Sequence, residues 1–178
     1  MIEDPFSIWC EYHAAATDRI EEMTPFDEYR MQLGVAWEDE YVAANFPNAH
    51  VIESSWGTAA VRETAEAMLR GETAIHGAAL WLLGEDVYGK ADILVRCDDH
   101  ASDFGNYHYR VQEVKNSKEA KPYHQLQAAV YTWILGELQG YCPASFDIVL
   151  RRGAGQQTIS FDTVADEMHR YLTQWRQI

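Results

Sequence analysis

Hydrophobic and polar positions fall into two periods along this chain, and the switches between them mark out its elements. From Pro25 onward, Phe26, Tyr29, Leu33, Trp37 and Tyr41 recur at helical spacing, with Pro25 at the favoured first turn and Pro47 as the stop, which predicts a helix over 25–46. A short strand is expected at 50–54. A second helix follows over 58–70, with Val61, Ala65, Met68 and Leu69 on its inner face and Gly71 as its C-terminal cap. The near-continuous apolar run over 73–83 reads as a buried strand, and Gly84-Glu85-Asp86 turns it into a second strand at 87–97, making an antiparallel hairpin. After a polar stretch at 98–106, a third strand at 107–114 returns across the sheet. Pro122 opens a helix whose core stripe is Leu126, Val130, Trp133, Ile134 and Leu138, closed by Gly140 and Pro143. Alternating Phe146, Ile148 and Leu150 give a fourth strand, 151–155 a turn and 156–161 an edge strand. A last helix from Asp162 buries Val164, Met168, Tyr171, Leu172 and Trp175. Residues 5–24 read as irregular or weakly helical, anchored by Phe6, Ile8, Trp9 and Tyr12. The order of elements predicts an α/β fold, a mixed sheet with helices packed on it.

Composition adds bounds to this picture. At 178 residues with no internal repeat or linker, the chain reads as one domain over 1–178. Three cysteines, Cys10, Cys97 and Cys142, are too few and too scattered for a disulfide framework, which points to a reduced, cytoplasmic setting. The start lacks signal-peptide character, and the longest apolar run is too short to span a bilayer. The formal net charge of −14 opposes a nucleic-acid ligand at long range. That charge is concentrated in the first 75 residues, with fifteen acidic residues against four basic ones, whereas 105–152 carries a local excess of two positive charges. Salt screens exposed charges beyond about 8 Å, so a locally positive groove is still able to hold a phosphate backbone, with modest affinity.

The most informative stretch is Glu113-Val114-Lys115, with Gly89-Lys90-Ala91-Asp92 before it and Gln127-Ala128-Ala129-Val130-Tyr131 after it. On a strand, side chains two apart share a face, so Glu113 and Lys115 point the same way and Val114 the other. Asp92 on the neighbouring strand would add a second carboxylate, giving a set suited to a hard divalent ion. On the triplet alone an ordinary ion pair on a strand surface is the stronger explanation, and Glu119-Ala120-Lys121 fits the same short pattern in a polar connection. Asp92 costs strand propensity, which calls for compensation. Gln127 and Tyr131, four apart, face one direction on the helix after the Glu113 strand. Glu38 lies four after Gly34 on the first helix, beside the acidic neighbours Asp39 and Glu40.

In their joint order, Gly34 to Glu38, Gly-x-x-Asp at 89–92, Glu-x-Lys at 113–115 and Gln-x-x-x-Tyr at 127–131 resemble the RecB-like branch of the PD-(D/E)XK nuclease superfamily. Ser7-Ile8-Trp9-Cys10-Glu11-Tyr12-His13 and Gln125-Leu126-Gln127 are similar to a subfamily of predicted RecB-like nucleases. The resemblance spans roughly residues 5 to 150. It implies a restriction-endonuclease-like core and a divalent-metal-dependent deoxyribonuclease, exonuclease or endonuclease, acting in DNA repair, recombination or defence. It also implies roles: Glu38, Asp92, Glu113 and the backbone carbonyl of Val114 around Mg²⁺ or Mn²⁺, Lys115 as the catalytic lysine, and Gln127 and Tyr131 at the site or the DNA backbone. An oxygen-rich set suits those ions, where imidazole and thiolate would suggest zinc. Some relatives carry a four-cysteine iron–sulfur cluster, which three cysteines cannot supply.

The seven histidines, His76, His100, His108 and His124 among them, show no metal-ligand spacing, and Asp98-Asp99 reads as a solvated loop. Gly153-Ala154-Gly155 beside Arg151-Arg152 reads as a hairpin turn. The alternative function is a catalytically inactive module of the same fold that binds DNA or docks a partner. The acidic residues from Glu11 to Glu28 and Glu38 to Glu40 would suit a basic partner such as a helicase or recombination protein.

Overall fold

The computed structural model describes residues 24–151 and 155–175; the readings made for 5–23, Cys10 and the 152–154 turn, and the side chain of Trp175, lie outside them. The elements run α1 (Pro25–Asn45), β1 (His50–Val51), α2 (Gly57–Arg70), β2 (Ala74–Leu82), β3 (Val87–Cys97), β4 (His108–Lys115), α3 (Pro122–Gln139), β5 (Ser145–Leu150), β6 (Gln156–Ser160) and α4 (Asp162–Trp175). Six strands form one open mixed sheet in the order β1-β2-β3-β4-β5-β6. β3 runs antiparallel to both β2 and β4, β1 joins β2 in parallel, β5 joins β4 in parallel after the α3 crossover, and β6 closes the far edge antiparallel to β5. The expected α/β class is the one observed, and no described helix is long and apolar enough to cross a membrane.

The sheet separates two cores. The larger, holding Ile75, Leu80, Leu94, Val111, Leu126, Ile134, Phe146 and Met168, is covered by α2, α3 and α4. The smaller, Val42, Ala74, Ile93, Val114 and Val149, lies under α1, with Trp37 and Tyr41 at its rim. Gln139 fixes the far end of α3 to the start of β4: its Oε1 accepts from Tyr109 N–H at 2.8 Å, and its Nε2 donates to the Tyr109 and Tyr141 carbonyls.

Several expected faces are corrected. In α2 the buried side is Ala60, Thr64, Ala67 and Met68, and Leu69 is exposed. Thr64 decides this rotation, because its hydroxyl accepts from Ala79 N–H at 2.9 Å and so must face β2. In α1, Phe26 and Tyr29 are exposed and only Val42 is fully buried. A 21-residue helix is about 31 Å long, more than the small core beneath it can cover. Val130, Trp133 and Leu138 of α3 are only partly buried, while Ala128, Ala129 and Leu135 are fully so. Wedged between sheet and α4, α3 buries a wider arc than one stripe. Tyr171 of α4 is likewise exposed. β5 is buried at nearly every position, as a strand covered on both faces must be.

Candidate functional site

β3 and β4 part at the centre of the sheet. Their ladder ends with Ile93 opposite Gln112. One step on, Asp92 N–H donates to Glu113 Oε1 at 3.1 Å and Val114 N–H donates to Asp92 Oδ2 at 2.7 Å. Two carboxylates thus take hydrogen bonds that a continuing ladder would have made between backbones. Past this point β4 pairs only with β5, as Glu113 with Ile148, Val114 with Val149 and Lys115 with Leu150. The result is a cleft between strands, floored by acidic side chains.

Strand parity sorts the β4 residues as the sequence predicts. Val111, Glu113 and Lys115 face α3, whereas Gln112, which donates to Tyr41 Oη at 2.8 Å, and Val114 face α1. Lys115 Nζ lies 2.6 Å from Glu113 Oε2 and 3.4 Å from Asp92 Oδ2. Glu113 is fully buried, and the Asp92 and Lys115 side chains keep 17% and 16% exposure, so the pair opens to solvent through a narrow mouth. Val114, expected to contribute its carbonyl, is tied to the site through its N–H.

The electrostatics follow from crowding. Burial first, then the Glu113 charge and more weakly Glu38, push the Asp92 carboxyl up to about 8, against the pull of Lys115 and the Val114 N–H. For Lys115, burial favours losing the proton, but Glu113 and Asp92 outweigh it and hold the ammonium well above the ordinary lysine range. One cation therefore balances a carboxylate group that is short of positive charge.

Glu38 comes from α1, on the other side of the sheet. Its Oε1 is 2.8 Å from His76 Nε2 on β2, and its charge is felt at Asp92, yet no described hydrogen bond links it to Asp92, Glu113 or Lys115. His76 is the residue that sequence reading left among scattered histidines. The signal for it lies in register: His76 pairs with Ile93, next to Asp92. Gly77, between His76 and Ala78, sits opposite Asp92 with φ +73°, and the Lys90 side chain crosses it, since a Cβ there would lie 3.0 Å from Lys90 Cε.

From α3, Gln127 Nε2 donates to Tyr131 Oη at 2.9 Å. Burial, and then the Glu113 charge, raise the Tyr131 phenol above its ordinary range, so it stays a proton donor. The Tyr131 ring lies flat against the backbone of Gly89, where any Cβ would overlap it. This explains a glycine three before Asp92. Gly89→Ala is expected to cost about 1–3 kcal/mol by overpacking and to displace Tyr131 from the cleft, read as a lowered midpoint in urea unfolding. His124, in the first turn of the same helix, accepts the Lys121 N–H, and burial together with the Lys115 charge lowers it to about 4, which keeps the imidazole neutral.

The structure therefore brings Asp92, Glu113 and Lys115 into direct contact, places Gln127 and Tyr131 on the helix facing them, and sets Glu38 at the margin through His76. The donor set at the centre is oxygen only, the chemistry that Mg²⁺ and Mn²⁺ accept. No family model and no curated protein matches the chain.

Proposed function

We propose that this protein is a divalent-metal-dependent deoxyribonuclease of the RecB-like PD-(D/E)XK type, with Asp92, Glu113 and Lys115 at its reacting centre. The observation that carries the reading is the strand cleft itself, where two carboxylates and an ammonium replace ladder hydrogen bonds in the middle of a sheet. Such a break costs stability and implies a use.

Asp92 and Glu113 would hold the ion, with Glu38 reaching it through a side-chain change that releases His76. Mg²⁺ or Mn²⁺ there supplies Lewis acidity toward a phosphodiester and acidifies a coordinated water. Lys115 holds its proton and offers hydrogen bonds to the attacking water and to the phosphoryl oxygens as their charge grows. Tyr131, kept protonated and oriented by Gln127, donates to a non-bridging phosphate oxygen. With an overall negative charge and few amines at the site, binding should be weak and only shallowly salt-dependent, since the slope scales with the number of phosphates neutralised.

The test is cleavage of linear and circular DNA by the purified protein with Mg²⁺ or Mn²⁺, alongside calorimetric titration of Mn²⁺ into wild type and Glu113→Gln. Metal-dependent cleavage and Mn²⁺ binding that Glu113→Gln removes are expected. Mn²⁺ binding without any cleavage would identify a DNA-binding or partner-docking module of the same fold, and no binding at millimolar Mn²⁺ would end the metal reading.

A further inference from the structure

At the opposite end of β3 from Asp92, Cys97 pairs directly with His108 as the last rung of the β3–β4 ladder. Residues directly opposite on antiparallel strands present side chains on one face with Cβ atoms about 4.5–5.5 Å apart, so a thiol and an imidazole are held side by side by the sheet. Asp99, two residues beyond Cys97, folds back over them. One ligand atom from each of Cys97, Asp99 and His108 lies within 4.8 Å of the others.

The spacing suits an ion better than a hydrogen bond. His108 Nδ1 stands 3.5 Å from Asp99 Oδ1. Charge-assisted hydrogen bonds are about 2.7–2.9 Å long, whereas nitrogen and oxygen ligands about 2.0–2.2 Å from a tetrahedral ion sit about 3.4 Å apart. The other polar neighbour of Nδ1, the His100 carbonyl, makes a long hydrogen bond at 3.3 Å, which an ion would replace. His108 is nearly fully buried, and Asp99 is 81% exposed and free to swing in.

The surrounding loop is already built. Ser102 bridges to Gly105, its hydroxyl donates to the Tyr107 carbonyl, and Asp103 N–H donates to the Gln139 carbonyl at the end of α3. His100 stacks on Tyr141 with centroids 3.8 Å apart, and Tyr141 packs edge-on against His108. A site framed this way needs only side-chain movement to close.

We propose that Cys97, His108 and Asp99 form a binding site for a thiophilic transition-metal ion of the Zn²⁺ class, with water as the fourth ligand. A sulfur, nitrogen and carboxylate set selects Zn²⁺ over Mg²⁺, and three protein ligands in tetrahedral array leave one position for solvent. The site is independent of the proposed nuclease centre, since Cys97 lies five steps along β3 from Asp92, about 16 Å. Binding draws the Asp99 carboxylate onto the thiol and imidazole and adds a tie across the 98–107 loop, which Asp103 and His100 already hold against the end of α3.

The full-length, reduced and metal-stripped protein is titrated with Co²⁺ while the ultraviolet thiolate-to-cobalt charge-transfer absorption is followed, and the complex is then back-titrated with Zn²⁺. One equivalent of Co²⁺ should give the absorption, Zn²⁺ should displace it, and Cys97→Ser should abolish it. Asp99→Ala, a change at an exposed position that leaves the metal-free melting temperature unaltered, should weaken affinity at least about tenfold. Zn²⁺ in hundredfold excess over Kd should raise the melting temperature by at least about 5 °C in wild type and Glu113→Gln, and not in Cys97→Ser. No charge-transfer absorption in wild type, absorption surviving Cys97→Ser, or absorption lost in Glu113→Gln would each overturn the site.

Discussion

Lys115→Met is expected to lower metal-dependent DNA cleavage by about 10²- to 10³-fold, the usual loss when one charge-stabilising donor is removed from a reacting centre. Methionine keeps the length and apolar stem of lysine, so the loss reports the ammonium. The same change should not weaken metal binding. Lys115 holds Glu113 Oε2 at 2.6 Å, an oxygen that an incoming ion must share or take over. Without the ammonium, the buried Glu113 carboxylate is left without a cation beside the Asp92 carboxyl, and the metal-free protein should lose about 3–5 kcal/mol of stability. Added Mg²⁺ or Mn²⁺ would restore most of that stability while leaving activity low. Single-turnover cleavage, Mn²⁺ calorimetry and unfolding with and without metal separate the three effects. A variant that cuts at the wild-type rate would remove Lys115 from the reaction.

The relationship among these residues was legible in the sequence because strand geometry leaves little freedom. Glu113 and Lys115 share a face by parity, Gln127 and Tyr131 by helical spacing, and the unfavourable strand position of Asp92 signalled a compensating contact, which its bonds to Val114 N–H and Lys115 provide. What stayed hidden depends on register between distant segments. His76 meets Glu38 only because β2 lies beside β3 and α1 crosses that side of the sheet, and neither fact is written in local periodicity. The same holds for Cys97 and His108, eleven positions apart with a loop between them, which become neighbours only once the ladder's last rung is known. On α2 the expected face holds at Met68 and in part at Val61 but fails at Leu69, for a related reason. A buried threonine bonded to a strand backbone outranked hydrophobicity in setting the helix rotation.

Asp92→Asn should make the metal-free protein more stable at pH 8 while abolishing metal-dependent cleavage. The sign follows from proton linkage. An unfolded aspartate loses its proton near 3.9, whereas folded Asp92 is pushed up to about 8 by burial and then by Glu113. Between those values the folded state binds more protons than the unfolded one, so stability present below about pH 4 is progressively lost as pH rises toward 8. Asparagine cannot ionise. Its carbonyl oxygen can still accept the Val114 N–H now bound by Asp92 Oδ2 at 2.7 Å, so the strand contact survives. The variant should therefore exceed wild type by on the order of 1–2 kcal/mol at pH 8 in chelator, with the gap shrinking toward pH 5. Saturating Mg²⁺ should reverse the order, because the ion cancels the carboxylate repulsion in wild type and finds too few charges in the variant. Urea unfolding at pH 5 and pH 8, each with chelator and with Mg²⁺, reads all four states. Identical pH slopes for the two proteins would show that Asp92 is not the strained carboxylate, and equal Mg²⁺ stabilisation of both would place the ion elsewhere.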